Sequence, residues 1–105
     1  MKGVEPTWLA SIVQWARADS RVAAVFLFGS RAKGTHRPDS DLDLAVVLTG
    51  DEDDSALGYS ICKGDEMQAR LAAVIPVSVH VNFPLEGDTV VWPAVQEHGQ
   101  LIYAG

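Results

Sequence analysis

The stretch FLFGSRAKGTHRPDSDLDLAVVL, residues 26–48, runs an apolar segment into a glycine-bearing turn and returns with two aspartates in a second apolar segment. An acidic side chain in a segment that otherwise favours burial is costly unless its charge is compensated. Side chains alternate along a strand, so Asp41 and Asp43 share one face and lie roughly 6 to 7 Å apart along it. Two carboxylates held that way repel each other unless a cation sits between them. Mg²⁺ suits such a pair, because it prefers hard oxygen ligands, keeps several waters and takes its remaining ligands from phosphate. Gly29-Ser30 ends the first segment and opens a short turn. Free backbone N–H groups there, with the Ser30 hydroxyl, would make a phosphate seat, and a glycine removes the Cβ that would block close approach. A phosphate seat beside two metal-binding aspartates is an arrangement for phosphoryl or nucleotidyl transfer.

The rest of the chain supplies a frame for these residues. Trp8, Leu9, Ile12, Trp15 and Ala16, at spacings of three and four, predict an amphipathic helix after Glu5-Pro6-Thr7. Val22 to Phe28 has no polar alternation and is rich in β-branched and aromatic residues, which predicts a strand covered on both faces. Leu42 to Leu48 is a second strand, too close in sequence to the first for a parallel crossover, so the pair is expected to be antiparallel. Leu57, Ile61, Gly64, Met67, Leu71 and Val74 mark the inward face of a longer helix, preceded by an acid run, 51–54, read as a solvated loop with capping residues. Val77 to Phe83 alternates strictly and predicts a third strand, with Ser78, His80 and Asn82 on its polar face. Asp88 to His98 predicts a last helix containing Pro93, and Leu101 to Tyr103 an edge strand. The exposed surface of that helix, Trp92 included, could form an interface, but a tryptophan there is more often core. The order points to an α+β fold: a small mixed β-sheet with helices packed against it, in a single domain over residues 1–105.

Composition narrows the function classes. An apolar content of 48% supports a packed globule, and the longest apolar run, Val22 to Phe28, is far short of the roughly 20 residues a membrane span needs. Cys62 is the single cysteine, so no internal disulfide forms, and it is expected as a small buried side chain. No charged, apolar leader is present, and the expected compartment is the cytoplasm. With 14 acids against 8 bases the net charge is −6, which argues against tracking long nucleic acid by phosphate neutralisation. A small nucleotide held by metal and backbone amides is compatible with that charge. Gly29 and Gly34 have the spacing of a Walker-type loop, but Thr35-His36 replaces the required Lys and Ser/Thr. That reading is excluded.

Gly29-Ser30-Arg31-Ala32-Lys33-Gly34 and Ser40-Asp41-Leu42-Asp43-Leu44, taken together, resemble the signature of the nucleotidyltransferase superfamily (DNA polymerase beta-like): a Gly-Ser turn, a short spacer, then an Asp-x-Asp strand. The likeness is closest to minimal, MNT-type nucleotidyltransferases, and the closing EHGQLIYAG is also similar to that family. The resemblance implies a nucleotidyltransferase fold, an NTP substrate, with ATP favoured, and Mg²⁺, with Mn²⁺ as a substitute. It implies transfer of a nucleoside monophosphate, AMP in the first instance, to a hydroxyl with release of pyrophosphate. Family members of this size act as antitoxins that adenylylate a HEPN-type toxin, so a protein acceptor supplied in trans is implied. By position, Gly29, Ser30 and Ser40 would bind nucleotide, and Asp41 and Asp43 would bind metal. Arg31 and Lys33 either neutralise phosphate charge or are solvated turn residues.

One feature departs from the family pattern. A third carboxylate on the next strand normally completes the metal site and can deprotonate the attacking hydroxyl. Here His80 best occupies that position, with Ser78 second, and the nearest acids, Glu86 and Asp88, lie beyond the strand. Histidine can act as a general base near neutral pH but is a poor Mg²⁺ ligand. Three outcomes stay open: His80 serves as base beside one retained metal; catalysis is lost and nucleotide or partner binding kept; or His80 is an ordinary sheet residue. A metal-free interaction domain is the remaining alternative. A homo-oligomer and a hetero-oligomer are both compatible with the sequence.

Overall fold

The computed structural model describes residues 3–49, 56–85 and 87–105, with the side chains of residues 56, 57, 60 and 62 outside that description. The elements run α1 (Pro6–Arg17), β1 (Val22–Phe28), α2 (Ser30–Lys33), β2 (Leu42–Leu48), α3 (Ala56–Ala72), β3 (Val79–Asn82), α4 (Val91–His98) and β4 (Gln100–Ala104). The strands form one mixed sheet in the order β3-β2-β1-β4. β1 is antiparallel to both β2 and β4, while β2 and β3 are parallel. Among the described residues no helix is long and apolar enough to cross a membrane.

The two faces of the sheet are covered unequally, and this positions the site. Leu27 pairs with Leu44 and Val25 with Val46, so these residues share a face. With Leu42 they are fully buried, in one cluster with Ile12 and Ala16 of α1 and Met67 and Leu71 of α3. Trp15 of α1 donates from Nε1 to the Met67 carbonyl at 3.0 Å, tying the two helices together. The other face carries Phe26 opposite Ala45 and Phe28 opposite Asp43. Its cover is α4, whose Trp92 meets the Phe26 ring edge-on at 6.2 Å. A strand with α1 and α3 beneath it and α4 above has no wet face in its middle, which is why Val22 to Phe28 lacks polar alternation. Asp43 stands at the end of the thinner layer, beyond the reach of the main core.

Several expectations are adjusted at this point. The third strand spans Val79–Asn82 rather than residues 77–83. Among the described side chains of α3 the buried residues are Gly64, Met67 and Leu71, whereas Ile61 is 72% exposed and Val74, beyond the helix, 57%. Tyr59 and Ile61 lie about 200° apart around a helix, and Tyr59 is the one packed against the core. Val74 falls beyond Ala72, where α3 ends. Pro93 sits in the first turn of α4, where a missing N–H removes no helical bond. The acid run 51–54, Leu57 as a core position, Cys62 as a buried side chain and Glu86 lie outside the described residues.

Candidate active site

The site forms where β1 ends in Gly29 and where β2 begins. Gly29 has φ 78° and ψ −159°, a backbone region essentially reserved for glycine. An ideal Cβ there would overlap Asp43 Oδ2 and lie 3.2 Å from Asp43 Cγ. The absent side chain is thus filled by the Asp43 carboxylate, which rests directly on the bend. Asp41 lies two residues earlier, immediately before β2, and its charge acts on Asp43. His80 of β3 is the register partner of Asp43, and its Nε2 lies 3.2 Å from Asp41 Oδ2. Asp41, Asp43, His80 and the Gly29-Ser30 bend are therefore brought together.

Electrostatics distinguishes the two acids. Burial holds the Asp43 carboxyl above its usual value; the His80 charge opposes this and Asp41 adds to it. A half-buried carboxylate beside a second carboxylate is a place where a cation is favoured. The Asp41–His80 pair is more than half exposed on both sides, so its contribution to stability is small. Among the described residues no three His, Cys, Asp or Glu side chains form a group that could hold an ion. Two carboxylates do suit a single hard cation that arrives with the oxygens of a triphosphate. They do not make up a two-metal set.

The neighbouring residues divide between site and scaffold. Lys33 is exposed on α2, close to the bend. Ser30 starts α2, and its carbonyl accepts the Thr35 N–H at 3.1 Å. Ser40 Oγ accepts the Arg37 N–H at 2.7 Å, closing the turn that leads into β2. Arg31 corrects an expectation. It is only 3% exposed, and its guanidinium donates to the carbonyls of Gly3, Pro38 and Ser40 at 2.8 to 3.1 Å. The Trp8 ring lies 5.3 Å away on its face. Arg31 braces the 35–41 loop from below instead of meeting phosphate from outside. Its partners are backbone carbonyls, which leave no trace in residue types, so the sequence carried no signal for this role. The Gly29 amide was also expected to be free for phosphate; it donates instead to His98 Nε2 at 2.9 Å, across 69 residues of chain.

The comparisons with known proteins bear on the family and the fold. The family model described as "Polymerase beta, Nucleotidyltransferase" matches residues 10–104. A comparison with curated protein sequences finds no match. Among solved structures, a toxin–antitoxin with AMP-PNP is similar with a TM-score of 0.70 at 22% identity, over 92% of this chain and 73% of that one. A complex of a tri-AMPylated Shewanella oneidensis HEPN toxin with MNT antitoxin gives 0.65 at 20% identity, over 93% and 71% of the two chains. The toxin–antitoxin MntA–HepT gives 0.67 at 19% identity, over 96% and 74%. At these identities the likeness shows a shared fold. The family match spans nearly the whole chain, including the Gly29 bend and both aspartates, and the chain belongs to the polymerase beta-type nucleotidyltransferase family.

Proposed function

We propose that this domain transfers a nucleoside monophosphate, AMP from ATP, to a hydroxyl on a partner protein of the HEPN toxin class. The observation that carries this reading is the Asp43 carboxylate seated against the side-chain-free Gly29 bend, with Asp41 beside His80, the register partner of Asp43. Likeness to an antitoxin complexed with a tri-AMPylated HEPN toxin supports AMP as the group and a protein as the acceptor. Asp41 and Asp43 hold Mg²⁺, or Mn²⁺ in its place, which when bound neutralises charge on the triphosphate. Gly29 and Ser30 line the phosphate seat, Lys33 adds positive charge at its rim, and Ser40 fixes the turn that delivers Asp41. The acceptor oxygen attacks the α-phosphorus, the bond to the β-phosphate oxygen breaks, and pyrophosphate leaves. His80, whose Nε2 lies 3.2 Å from Asp41 Oδ2, takes the hydroxyl proton at Nδ1.

A specific observation favours a second reading. His80 stands opposite Asp43, where a third acid would complete the ion site, so the domain could instead bind nucleotide or partner without turnover. The test incubates the protein with labelled ATP, Mg²⁺ or Mn²⁺ and a HEPN-type partner encoded beside it. Label on the partner, abolished by Asp43→Ala, is expected. No label with any nucleotide or metal overturns the transferase reading. His80→Asp separates the alternatives: loss of labelling supports His80 as base, and a large gain supports degeneration.

A further inference from the structure

We infer that His98 is a positioning residue of the phosphate seat: its imidazole supplies the acceptor that fixes the Gly29 amide, and through Gly29 the place of the Asp43 carboxylate. The functional consequence rests on the nucleotidyl-transfer reading; the structural one does not. The β1–β4 ladder pairs Phe26 with Leu101 and Leu27 with Gln100. Continued two residues further, that register sets Gly29 opposite His98. His98 is the last residue of α4, however, so its backbone belongs to a helix and not to the ladder. The side chain fills the gap, with Nε2 2.9 Å from the Gly29 nitrogen. One imidazole nitrogen thus extends the sheet by a rung exactly where the backbone of β4 stops.

Two further features give this contact weight. A ring nitrogen that accepts carries no proton, so the neutral ring holds its proton on Nδ1. His98 Nδ1 is buried and has no hydrogen-bond partner among the described residues. The ring is therefore kept in a tautomer that leaves a buried donor unmet, and the bond to Gly29 is what it gains in return. Gly29 in turn packs on Asp43 so closely that a Cβ has no room. Any drift of the bend moves into the space of that carboxylate. Among the described residues no hydrogen bond or ion pair joins His98 to either acid, and its polar link to the site is the Gly29 amide.

The test compares wild type with His98→Gln, whose side-chain amide reaches the position of Nε2, and His98→Phe, which keeps a ring without an acceptor. In ¹⁵N-labelled wild type the imidazole shifts should report the proton on Nδ1. The Gly29 amide should exchange slowly in wild type and His98→Gln, and about tenfold or more faster in His98→Phe, as expected for a lost hydrogen bond. Affinity for Mg²⁺ with AMP-PNP should fall by about tenfold in His98→Phe and stay within about threefold in His98→Gln. A proton on Nε2, or unchanged Gly29 exchange in His98→Phe, overturns the inference. Lost protection with unchanged affinity reduces His98 to a fold contact and overturns its link to the site. If wild type itself binds no nucleotide, the transferase reading fails, while tautomer and exchange still decide whether His98 holds the bend. Should His98→Phe not fold, the wild-type tautomer and the His98→Gln exchange rate decide it.

Discussion

Replacing Gly29 by alanine tests whether Asp43 and the bend form one unit. The added Cβ meets two separate obstacles. The backbone at φ 78° and ψ −159° suits glycine alone, which costs about 1–3 kcal/mol for any other residue. The methyl group also overlaps Asp43 Oδ2 and approaches Asp43 Cγ and Cβ to 3.2 and 3.3 Å, so the carboxylate must move. Together these predict a loss of about 2–4 kcal/mol, a large share of the roughly 5–15 kcal/mol that stabilises a domain. Urea unfolding followed by tryptophan fluorescence measures it, with Trp8, Trp15 and Trp92 as reporters. The two obstacles separate in a double-mutant cycle. In an Asp43→Ala background the collision with the carboxylate is gone and the backbone cost remains with the contact to Cβ at 3.3 Å, so the losses should fail to add by about 1 kcal/mol. Additivity within about 0.5 kcal/mol, or a single-mutant loss below about 1 kcal/mol, would refute the packing of Asp43 on the bend.

Three further outcomes are expected. Arg31→Ala removes a charged donor from three backbone carbonyls and should cost about 3–4 kcal/mol, with Arg31→Lys recovering only part, measured by thermal unfolding and by proteolysis of the 35–41 loop. Because burial raises the Asp43 pKa above 3.8, ionisation of that group opposes folding: its favourable contribution is complete below the unfolded value and is lost as pH rises through the folded one. Asp43→Asn should therefore raise Tm at pH 7 while abolishing labelling, and the gain in Tm should vanish towards pH 3. The Tyr59 hydroxyl donates to Asp19 Oδ2, and this bond together with burial pushes its pKa up to about 12. The stability it lends should be intact below pH 10 and lost between pH 10 and about 12, a decline absent in Tyr59→Phe when unfolding is followed against pH.

His80 shows how a substitution at one position recasts its neighbours. An acid opposite Asp43 would repel both aspartates and strengthen the demand for cations. The imidazole pairs with Asp41 instead and draws the Asp43 pKa down against burial. The site therefore holds less unbalanced negative charge than three carboxylates would give it. One cation brought in with the triphosphate is consistent with that balance.

The sheet also treats its two edges differently. Val81 on β3 donates its N–H to Gln68 Oε1 of α3 at 3.1 Å, so that edge is capped by a side chain. At the β4 end, the strand stays attached to β1 through the final glycine, whose N–H donates to the Ala23 carbonyl at 2.8 Å. β1 is central because it pairs with β2 on one side and β4 on the other, and Gly29, just past its end, meets Asp43 and His98.

Local pattern was enough to determine the strands and the face of the aspartates. Periodicity of two put Asp41 and Asp43 together, short spacing made β1 and β2 antiparallel, and the Gly-Ser bend followed from residue types that only a tight turn favours. What tertiary structure alone decided was the role of side chains whose partners are backbone atoms or distant in sequence. Arg31 turned inward because the carbonyls of Gly3, Pro38 and Ser40 converge on it, and His98 reached Gly29 because β4 returns beside β1 after 69 residues. Carbonyl and amide groups are the same at every position, so no sequence pattern marks which of them a side chain will find. Only the folded path of the chain selects them.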